Sequence, residues 1–299
     1  MSTARQLDTS TPEPAQSPEC TTWSKGSADY PAELLDLPNP PDPLFVLGAR
    51  MALDAPRVAI VGTRDCTGYG DRTARKLAGA IARAGGCVIS GMARGVDACA
   101  HRAALEVGGK TVAVLGTGVD VPYPRGHSRL HGQIAEQGLV ISESSAGVAA
   151  FRGCFPRRNR IIAALATVTI VVEAGHKSGA LLTAKNALEL GRTVAAVPGP
   201  IDSPNSAGTN ELLRDGAHVI ATVDDALALA GFPAAPELPL PDLSDAERAV
   251  WEALGKGAAP LDVIADRAGL QLRDCMMAMT SLELRGLVSA GFSGEYRRN

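Results

Sequence analysis

The stretch Phe155-Pro-Arg-Arg-Asn-Arg160-Ile-Ile-Ala-Ala-Leu-Ala-Thr-Val-Thr-Ile-Val-Val-Glu173 joins a basic motif directly to apolar sequence. Within it, residues 161–165 are predicted to form a short helix and residues 168–172 a strand. An uninterrupted β-branched run of this kind is typical of a strand buried on both faces of a parallel sheet. The basic motif therefore lies at the rim of a hydrophobic core. It is either a solvated surface or a site for an anionic partner.

Outward from this stretch, strands and helices alternate between about residues 57 and 220. Such an alternation predicts an α/β fold, with a parallel sheet that carries helices on both faces. The predicted strands are 58–61, 87–90, 111–115, 139–142, 168–172, 193–197 and 218–220, and the predicted helices are 70–84, 97–107, 128–137, 161–165, 178–190 and 210–215.

The flanking segments divide the chain further. Residues 1–27, rich in Ser, Thr, Pro and Glu, are predicted to be a disordered tail. Residues 28–230 make up the predicted α/β domain, and the Pro-rich residues 231–241 are a linker. In residues 242–299, a Ser-Asp-Ala-Glu capping box opens the first of three predicted helices, which a small hairpin follows. This order matches a winged-helix module.

The distribution of charge indicates a polyanionic partner. The net charge is −3, yet residues 57–160 hold 15 Lys and Arg against 7 Asp and Glu, a local balance of +8. Residues 1–56 have 3 against 8, and residues 161–299 have 11 against 17. A basic block inside an acidic chain indicates an anionic ligand at that block rather than non-specific binding over the whole surface.

Composition also bears on location and cofactors. No apolar run approaches the ~20 residues of a membrane span, and no secretory signal precedes the first domain. The six cysteines are scattered without a CxxC pair, which predicts reduced thiols, a cytoplasmic location and no metal site. The chain has neither a GxGxxG fingerprint nor a Walker lysine, so no cofactor is predicted.

Six glycine-containing or polar loops follow the predicted strands, and in a parallel sheet they all lie at its carboxyl edge. Small residues there let backbone amides approach a ligand, and helix N-termini favour anions. The sequence therefore predicts an anion or phosphate site at this edge. In chain order, the first loop contains Gly62-Thr63-Arg64, the second Gly91 and Arg94, and the third Gly116 and Gly118. The fourth contains Glu143, the fifth Glu173 and Lys177-Ser178-Gly179, and the sixth Pro198.

Side chains on these loops suit a flexible polyanion. Guanidinium groups on successive loop tips can follow a phosphate backbone, and nearby aromatic rings can stack on bases. Glu143 and Glu173 also end strands at this edge, so they are either an acid/base pair or carboxylates that hold loop amides and arginines. The basic candidates are Arg64, Arg94, Arg125, Arg157, Arg158, Arg160 and Lys177, and the aromatic ones are Tyr123, Phe151 and Phe155.

Taken together, these motifs resemble the DprA/Smf family of DNA-processing proteins. The resemblance covers about residues 30–230. The motifs that carry it are Gly62-Thr-Arg64 with Tyr69-Gly70, Ser90-Gly-Met-Ala-Arg-Gly-Val-Asp97 with Ala100-His101, Ala113-Val-Leu-Gly-Thr-Gly118 with Tyr123-Pro124, Phe155-Pro-Arg-Arg-Asn-Arg160, Val172-Glu-Ala with Lys177-Ser-Gly179, and Arg192 to Pro198-Gly199.

The resemblance implies an extended Rossmann-like domain that binds single-stranded DNA, forms a homodimer and helps to load a RecA-type recombinase during transformation or recombination. It places the DNA pocket at Arg64, at Arg125, and at Arg158, Asn159 and Arg160. Many members carry an N-terminal helical domain, for which the short polar tail leaves no room. The C-terminal module is expected to be accessory, because residues 244–299 hold 7 basic against 8 acidic residues.

Two further expectations remain open. A homodimer contact is predicted around residues 219–229, because this segment is too short and apolar to serve only as a lid over the domain. The alternative function is a Rossmann-like nucleotide-processing enzyme similar to the phosphoribohydrolases. Their Pro-Gly-Gly-x-Gly-Thr loop is not found here, since the comparable place reads Glu173-Ala-Gly-His-Lys-Ser-Gly179.

Overall fold

The computed structural model describes residues 20–233, 242–255, 257–291 and 294–298. The chain forms two compact units that divide between Ala235 and Pro236. Of the predicted tail, residues 1–19 lie outside the described residues, as do residues 234–241 of the predicted linker.

The first unit is built on a nine-stranded sheet in the order β1-β2-β6-β5-β4-β3-β7-β8-β9. Strands β3 to β9 pair in parallel, whereas β1 pairs with β2, and β2 with β6, in antiparallel fashion. The strands are β1 (Cys20–Trp23), β2 (Leu44–Gly48), β3 (Arg57–Val61), β4 (Cys87–Ser90), β5 (Lys110–Leu115), β6 (Leu139–Ser142), β7 (Val168–Val171), β8 (Thr193–Ala196) and β9 (His218–Val219).

In the described part of the first unit, seven α-helices accompany this sheet. They are α1 (Gly68–Arg83), α2 (Val96–Glu106), α3 (Ser128–Gln137), α4 (Cys154–Leu165), α5 (Gly179–Glu189), α6 (Ala207–Arg214) and α7 (Val223–Leu229). The predicted α/β architecture with helices on both faces is confirmed.

The two faces of β3 show why a continuous apolar strand is needed. Successive side chains of a strand point to opposite faces. Val58 and Ile60 pack in one cluster with α1, α2 and α7, and Ala59 and Val61 pack in another with α4 and α5. A polar residue at any of these four positions would face a core.

The order of the strands sets the position of the site. From β3 the chain builds outward through β4, β5 and β6, and then returns to place β7 on the other side of β3. The loops that leave β3 and β7 therefore diverge, and a crevice opens between them at the carboxyl ends of the strands. Open α/β sheets bind their ligands at such switch points.

Two local predictions differ from the structure. The short helix predicted at 161–165 begins at Cys154, so the basic motif is itself helical; Pro156 lies in the first turn, where a missing N–H costs little. Residues 20–23, within the predicted tail, form β1. The segment before Arg57 adds the two antiparallel strands, which the alternation of the later elements does not reveal.

The second unit has its own sheet and core. Helices α8 (Asp245–Leu254), α9 (Leu261–Ala268) and α10 (Leu272–Leu284) pack with three short strands in the order β10-β12-β11. The strands are β10 (Ala259–Pro260), β11 (Val288–Ala290) and β12 (Glu295–Arg298). Ser244 and Glu247 form the predicted capping box. Among the described helices of the whole chain, none is long and apolar enough to cross a membrane.

Candidate nucleic-acid interface

A cleft of about 510 Å³ opens at the switch point between β3 and β7. Its volume falls in the range of ordinary ligand sites, ~300–1,000 Å³. It is bounded by the loops after both strands and by the first turns of α4 and α5. Nine of the residues predicted from the sequence line it: Gly62, Thr63, Arg64, Phe155, Arg158, Asn159, Lys177, Ser178 and Gly179.

Two aromatic rings and a guanidinium group are stacked at the mouth of this cleft. The guanidinium of Arg64 lies 5.2 Å from the centroid of the Phe155 ring. The ring of Tyr123 lies on Phe155 as well, with 4.8 Å between centroids and a tilt of 35°. Arg64 and Tyr123 are exposed, so a planar ligand can reach this stack from solvent.

Arg158 is buried and its guanidinium is used inside the protein. Only 4% of the residue is exposed. Its Nη1 donates to the carbonyl oxygens of Gly91, at 2.6 Å, and Val114. Burial lowers the pKa of Arg158 to about 10. Burial also raises the pKa of the neighbouring Asp97. The Asp97 carboxylate accepts from the Gly91 amide at 3.1 Å. Arg158 therefore ties the ends of β4 and β5 together at the floor of the cleft, and its expected contact with phosphate stays a prediction.

The other two arginines of the motif lie outside the cleft. Because a helix turns 100° per residue, Arg157 and Arg160 share a face that Arg158 does not. Both pair with Glu143, at 3.0 Å and 2.6 Å respectively. Arg160 also donates to the Asn39 carbonyl at 2.8 Å, so it ties α4 to the N-terminal lead-in. Only Arg157 keeps most of its side chain, 58%, in solvent.

Glu173, the other carboxylate at this edge, is held against the first turn of α1. The Thr67 amide donates to its Oε2 at 2.9 Å, and the Thr67 hydroxyl to its Oε1 at 2.5 Å. Thr67 in turn caps α1 by accepting from the Gly70 amide. Glu143 and Glu173 thus hold arginines and a loop amide, the second of the two roles predicted for them.

The first turn of α5 supplies the opposite wall of the cleft. Ser178 is the N-cap of this helix and accepts from the Ala180 amide at 3.3 Å. Asn159 donates from Nδ2 to the Gly179 carbonyl at 3.1 Å, which fixes α4 against α5. The exposed Lys177 stands just before the helix. An anion here would meet a lysine together with the positive end of a helix dipole.

The remaining predicted residues lie elsewhere along the same edge. Gly91 is buried beneath Arg158, with no room for a side chain. Gly116 and Gly118 are buried in the loop after β5, and the Gly118 amide donates to the Val148 carbonyl. Arg94 and Arg125 are exposed on their loops, but neither lines the cleft.

Asn205 lines the cleft without having been predicted. It comes from the loop after β8 and donates from Nδ2 to the Asp65 carbonyl at 3.1 Å, beside Arg64. No local motif marks this position, since the bond joins two loops 140 residues apart in sequence. All six cysteines are free thiols.

Comparisons with known proteins identify the family of this chain. Residues 21–231 match the family model described as DNA recombination-mediator protein A, and residues 234–291 match the DprA winged helix domain. A putative DNA processing protein DprA from Mycobacterium tuberculosis is 47% identical over 254 residues, which cover 82% of this chain and 65% of that protein. This chain therefore spans just under two thirds of that relative's length.

Two solved structures share the fold. DNA processing protein A from Streptococcus pneumoniae is 39% identical with a TM-score of 0.67, over 71% of this chain and 74% of that one. The Helicobacter pylori protein, described for its single-stranded DNA binding mode, is 31% identical with a TM-score of 0.65, over 72% of this chain and 98% of that one. The sheet, the motifs along its carboxyl edge and these similarities make this chain a member of the DNA recombination-mediator protein A family, the DprA/Smf proteins.

Proposed function

We propose that this chain binds single-stranded DNA without strong sequence preference. The observation that carries the proposal is the convergence of Arg64, Phe155 and Lys177 on one cleft. A cationic rim suits phosphates, and an aromatic platform suits an unstacked base of any identity. A duplex keeps its bases stacked and paired, so it cannot use the Phe155 ring. The family membership and the single-stranded DNA binding of the Helicobacter pylori relative support the same conclusion.

Arg64, Lys177, Phe155 and the Ser178–Gly179 turn are the proposed DNA contacts, and Arg94 and Arg125 are proposed to extend them along the loop edge. Thr63, Asn159 and Asn205 line the same cleft. We assign Arg158 and Arg160 to positioning, because their guanidinium groups are engaged by Gly91, Val114, Glu143 and Asn39.

The wider role is proposed from the resemblance of the sequence motifs to the DprA/Smf family. We propose that the bound strand is handed to a RecA-type recombinase, in transformation or recombination, by a homodimer that acts in the cytoplasm without catalysing a reaction itself. The edge strand β9 supports a dimer contact around residues 219–229, because Val219 is 54% exposed there. The phosphoribohydrolase-like alternative is less well supported, since Glu143 and Glu173 are both engaged in holding other groups.

The test compares one labelled oligonucleotide as a single strand and as a duplex by fluorescence anisotropy, between ~50 and ~200 mM salt. We expect tight binding of the single strand alone, with affinity falling steeply as salt rises because phosphate contacts release counterions. Equal affinity for the duplex, or an affinity that stays flat with salt, would refute the proposal. Sedimentation at micromolar concentration tests the dimer, and a monomer there would count against it.

A further inference from the structure

Helix α1 carries a stripe of three basic residues, Arg72, Lys76 and Arg83, all of them exposed. At 100° per residue the three side chains fall within about 40° of one another around the helix axis. The first and last are 11 residues apart, a distance of about 16 Å along the helix. The basic stripe is therefore long enough to face several phosphates of one strand.

No acidic side chain in the described part of the chain lies within ion-pair distance of the basic stripe. The acidic residue of α1, Asp71, accepts from the Cys99 thiol at 2.8 Å. The neighbouring Glu106 of α2 pairs instead with Arg75 at 2.5 Å. Solvated helix faces usually intersperse both signs of charge, because like charges one turn apart repel. The basic stripe departs from this pattern.

The arginine side chains of the basic stripe lie back along the helix, over positions that have no side chain. A Cβ on Gly68 would come within 3.4 Å of the Arg72 Nη1, and one on Gly79 would come equally close to the Arg83 Nη1. Helical side chains lean toward the N-terminus of their helix. With glycine four residues earlier, each guanidinium rests on the helix surface and leaves its outer face open.

The basic stripe also begins beside the cleft. Helix α1 starts at Gly68, four residues after Arg64, and its N-cap Thr67 is bonded to Glu173, which follows β7 at the same edge of the sheet. From there α1 runs away along the sheet face that carries Val58 and Ile60. A strand that leaves the cleft past Arg64 would meet the basic stripe next.

The cleft holds few of the basic residues of the first unit. Of the 15 basic residues between 57 and 160, only Arg64 and Arg158 line the cleft, and Arg158 is buried. The cleft alone does not account for the local balance of +8. Helix α1 contributes four of those 15 residues, and the adjoining α2 adds the exposed Arg102.

We propose that the basic stripe of α1 is a second binding surface for the phosphate backbone, and that it takes the part of a single strand that continues beyond the cleft. This inference rests on the proposed function. It assigns two parts to the DNA site: a cleft that holds one or a few nucleotides by stacking and charge, and a helix face that holds the flanking phosphates by charge alone.

The test is a triple variant, Arg72→Gln, Lys76→Gln and Arg83→Gln, since glutamine keeps helix propensity and removes the charge. Binding is measured by anisotropy with two labelled strands, one of about 6 nucleotides, which a single cleft can cover, and one of about 30. We expect the affinity for the short strand to stay within about twofold, and that for the long strand to fall about tenfold at low salt. The slope of log K against log salt should drop by about 2 for the long strand, at ~0.7 for each phosphate that the variant no longer binds.

A matched control removes three exposed charges elsewhere in the same unit: Lys25→Gln, Lys185→Gln and Arg214→Gln. Unchanged long-strand affinity in the α1 variant, an equal loss for both strands, or the same loss in the control would overturn the inference. Thermal melting of both variants shows that each remains folded. If the wild-type chain binds neither strand, it is the proposed function that fails, which is a different and separable result.

Discussion

The guanidinium of Arg64 lies 5.2 Å from the centroid of the Phe155 ring, although the two residues come from different connections between strands. Arg64 follows β3, whereas Phe155 stands in the first turn of α4. The contact is a cation–π interaction, which holds the proposed phosphate-binding group beside the proposed base-stacking surface. In the proposed function the two groups contact different parts of a nucleotide, so their removal should have different consequences.

Arg64→Ala should weaken single-stranded DNA binding about tenfold, which corresponds to ~1.4 kcal/mol. The slope of log K against log salt should fall by ~0.7 as well, because one fewer phosphate is bound. The melting temperature should barely change, since Arg64 is exposed. Anisotropy titrations at several salt concentrations measure both effects, with Arg214→Ala as the control. A clear drop in melting temperature with DNA affinity intact would assign Arg64 to structure.

Phe155→Ala should also weaken binding, by ~1–3 kcal/mol for the one base that stacks on it. Unlike the Arg64 variant, it should leave the salt slope unchanged because every phosphate-binding group is still present. Phe155→Trp should restore the affinity. If the tryptophan variant binds as weakly as the alanine variant, stacking is not what Phe155 provides.

Arg157 and Arg158 are adjacent in sequence, but their replacement by alanine should cost very different amounts of stability. Arg158→Ala leaves the buried carbonyls of Gly91 and Val114 without their donor, so it should cost ~1–3 kcal/mol of unfolding free energy for each carbonyl. Arg157→Ala removes an ion pair whose arginine is 58% exposed and should cost no more than ~1 kcal/mol. Urea denaturation of both variants decides the matter. Similar losses in the two would show that Arg158 does not hold the cleft floor.

His101 should make the fold sensitive to acid. The Thr111 hydroxyl donates to the Val88 carbonyl, so the His101 Nδ1, at 2.7 Å, must donate to Thr111 while Nε2 stays deprotonated. Burial lowers the pKa of His101 to about 3, from an ordinary value of 6.5. Between those two values the unfolded chain binds the extra proton, so this contribution to stability is complete above pH 6.5 and is lost as pH falls toward 3.

The corresponding experiment follows the unfolding free energy of the wild type and of His101→Gln across that range of pH. Taking the difference between the two proteins removes the contribution of other groups, including Asp97. We expect the wild type to lose up to about 1.4 kcal/mol per pH unit relative to the variant below pH 6.5. If the unfolding free energies of the wild type and the variant change in parallel with pH, His101 is not held neutral in the folded protein.

Removal of residues 240–299 should leave most single-stranded DNA binding intact. The second unit has its own hydrophobic core, in which Val250, Ile264 and Leu282 are buried, and the +8 block lies wholly in the first unit. Comparison of truncated and full-length chains by anisotropy on one labelled oligonucleotide tests this. A loss of more than about tenfold, or ~1.4 kcal/mol, would show that the winged-helix unit takes part in binding.

Patterns in the amino-acid sequence were enough to establish the fold class and the edge of the sheet at which the candidate cleft lies. An apolar β-branched run such as residues 168–172 is typical of a strand in a sheet covered on both faces, and the alternation with helices makes that sheet parallel. Every loop after a strand must then reach the same edge. For this reason Arg64, Phe155 and Lys177 could be named from the sequence.

The partner of each arginine in the basic motif, by contrast, was decided by the tertiary structure. Arg157, Arg158 and Arg160 look alike as a string, but the helix that begins at Cys154 turns 100° per residue and sends them to different surroundings. Glu143 takes two of them, whereas the carbonyls at the ends of β4 and β5 take Arg158. These partners come from distant parts of the chain, and no local pattern encodes an interaction that forms only when the sheet closes around it.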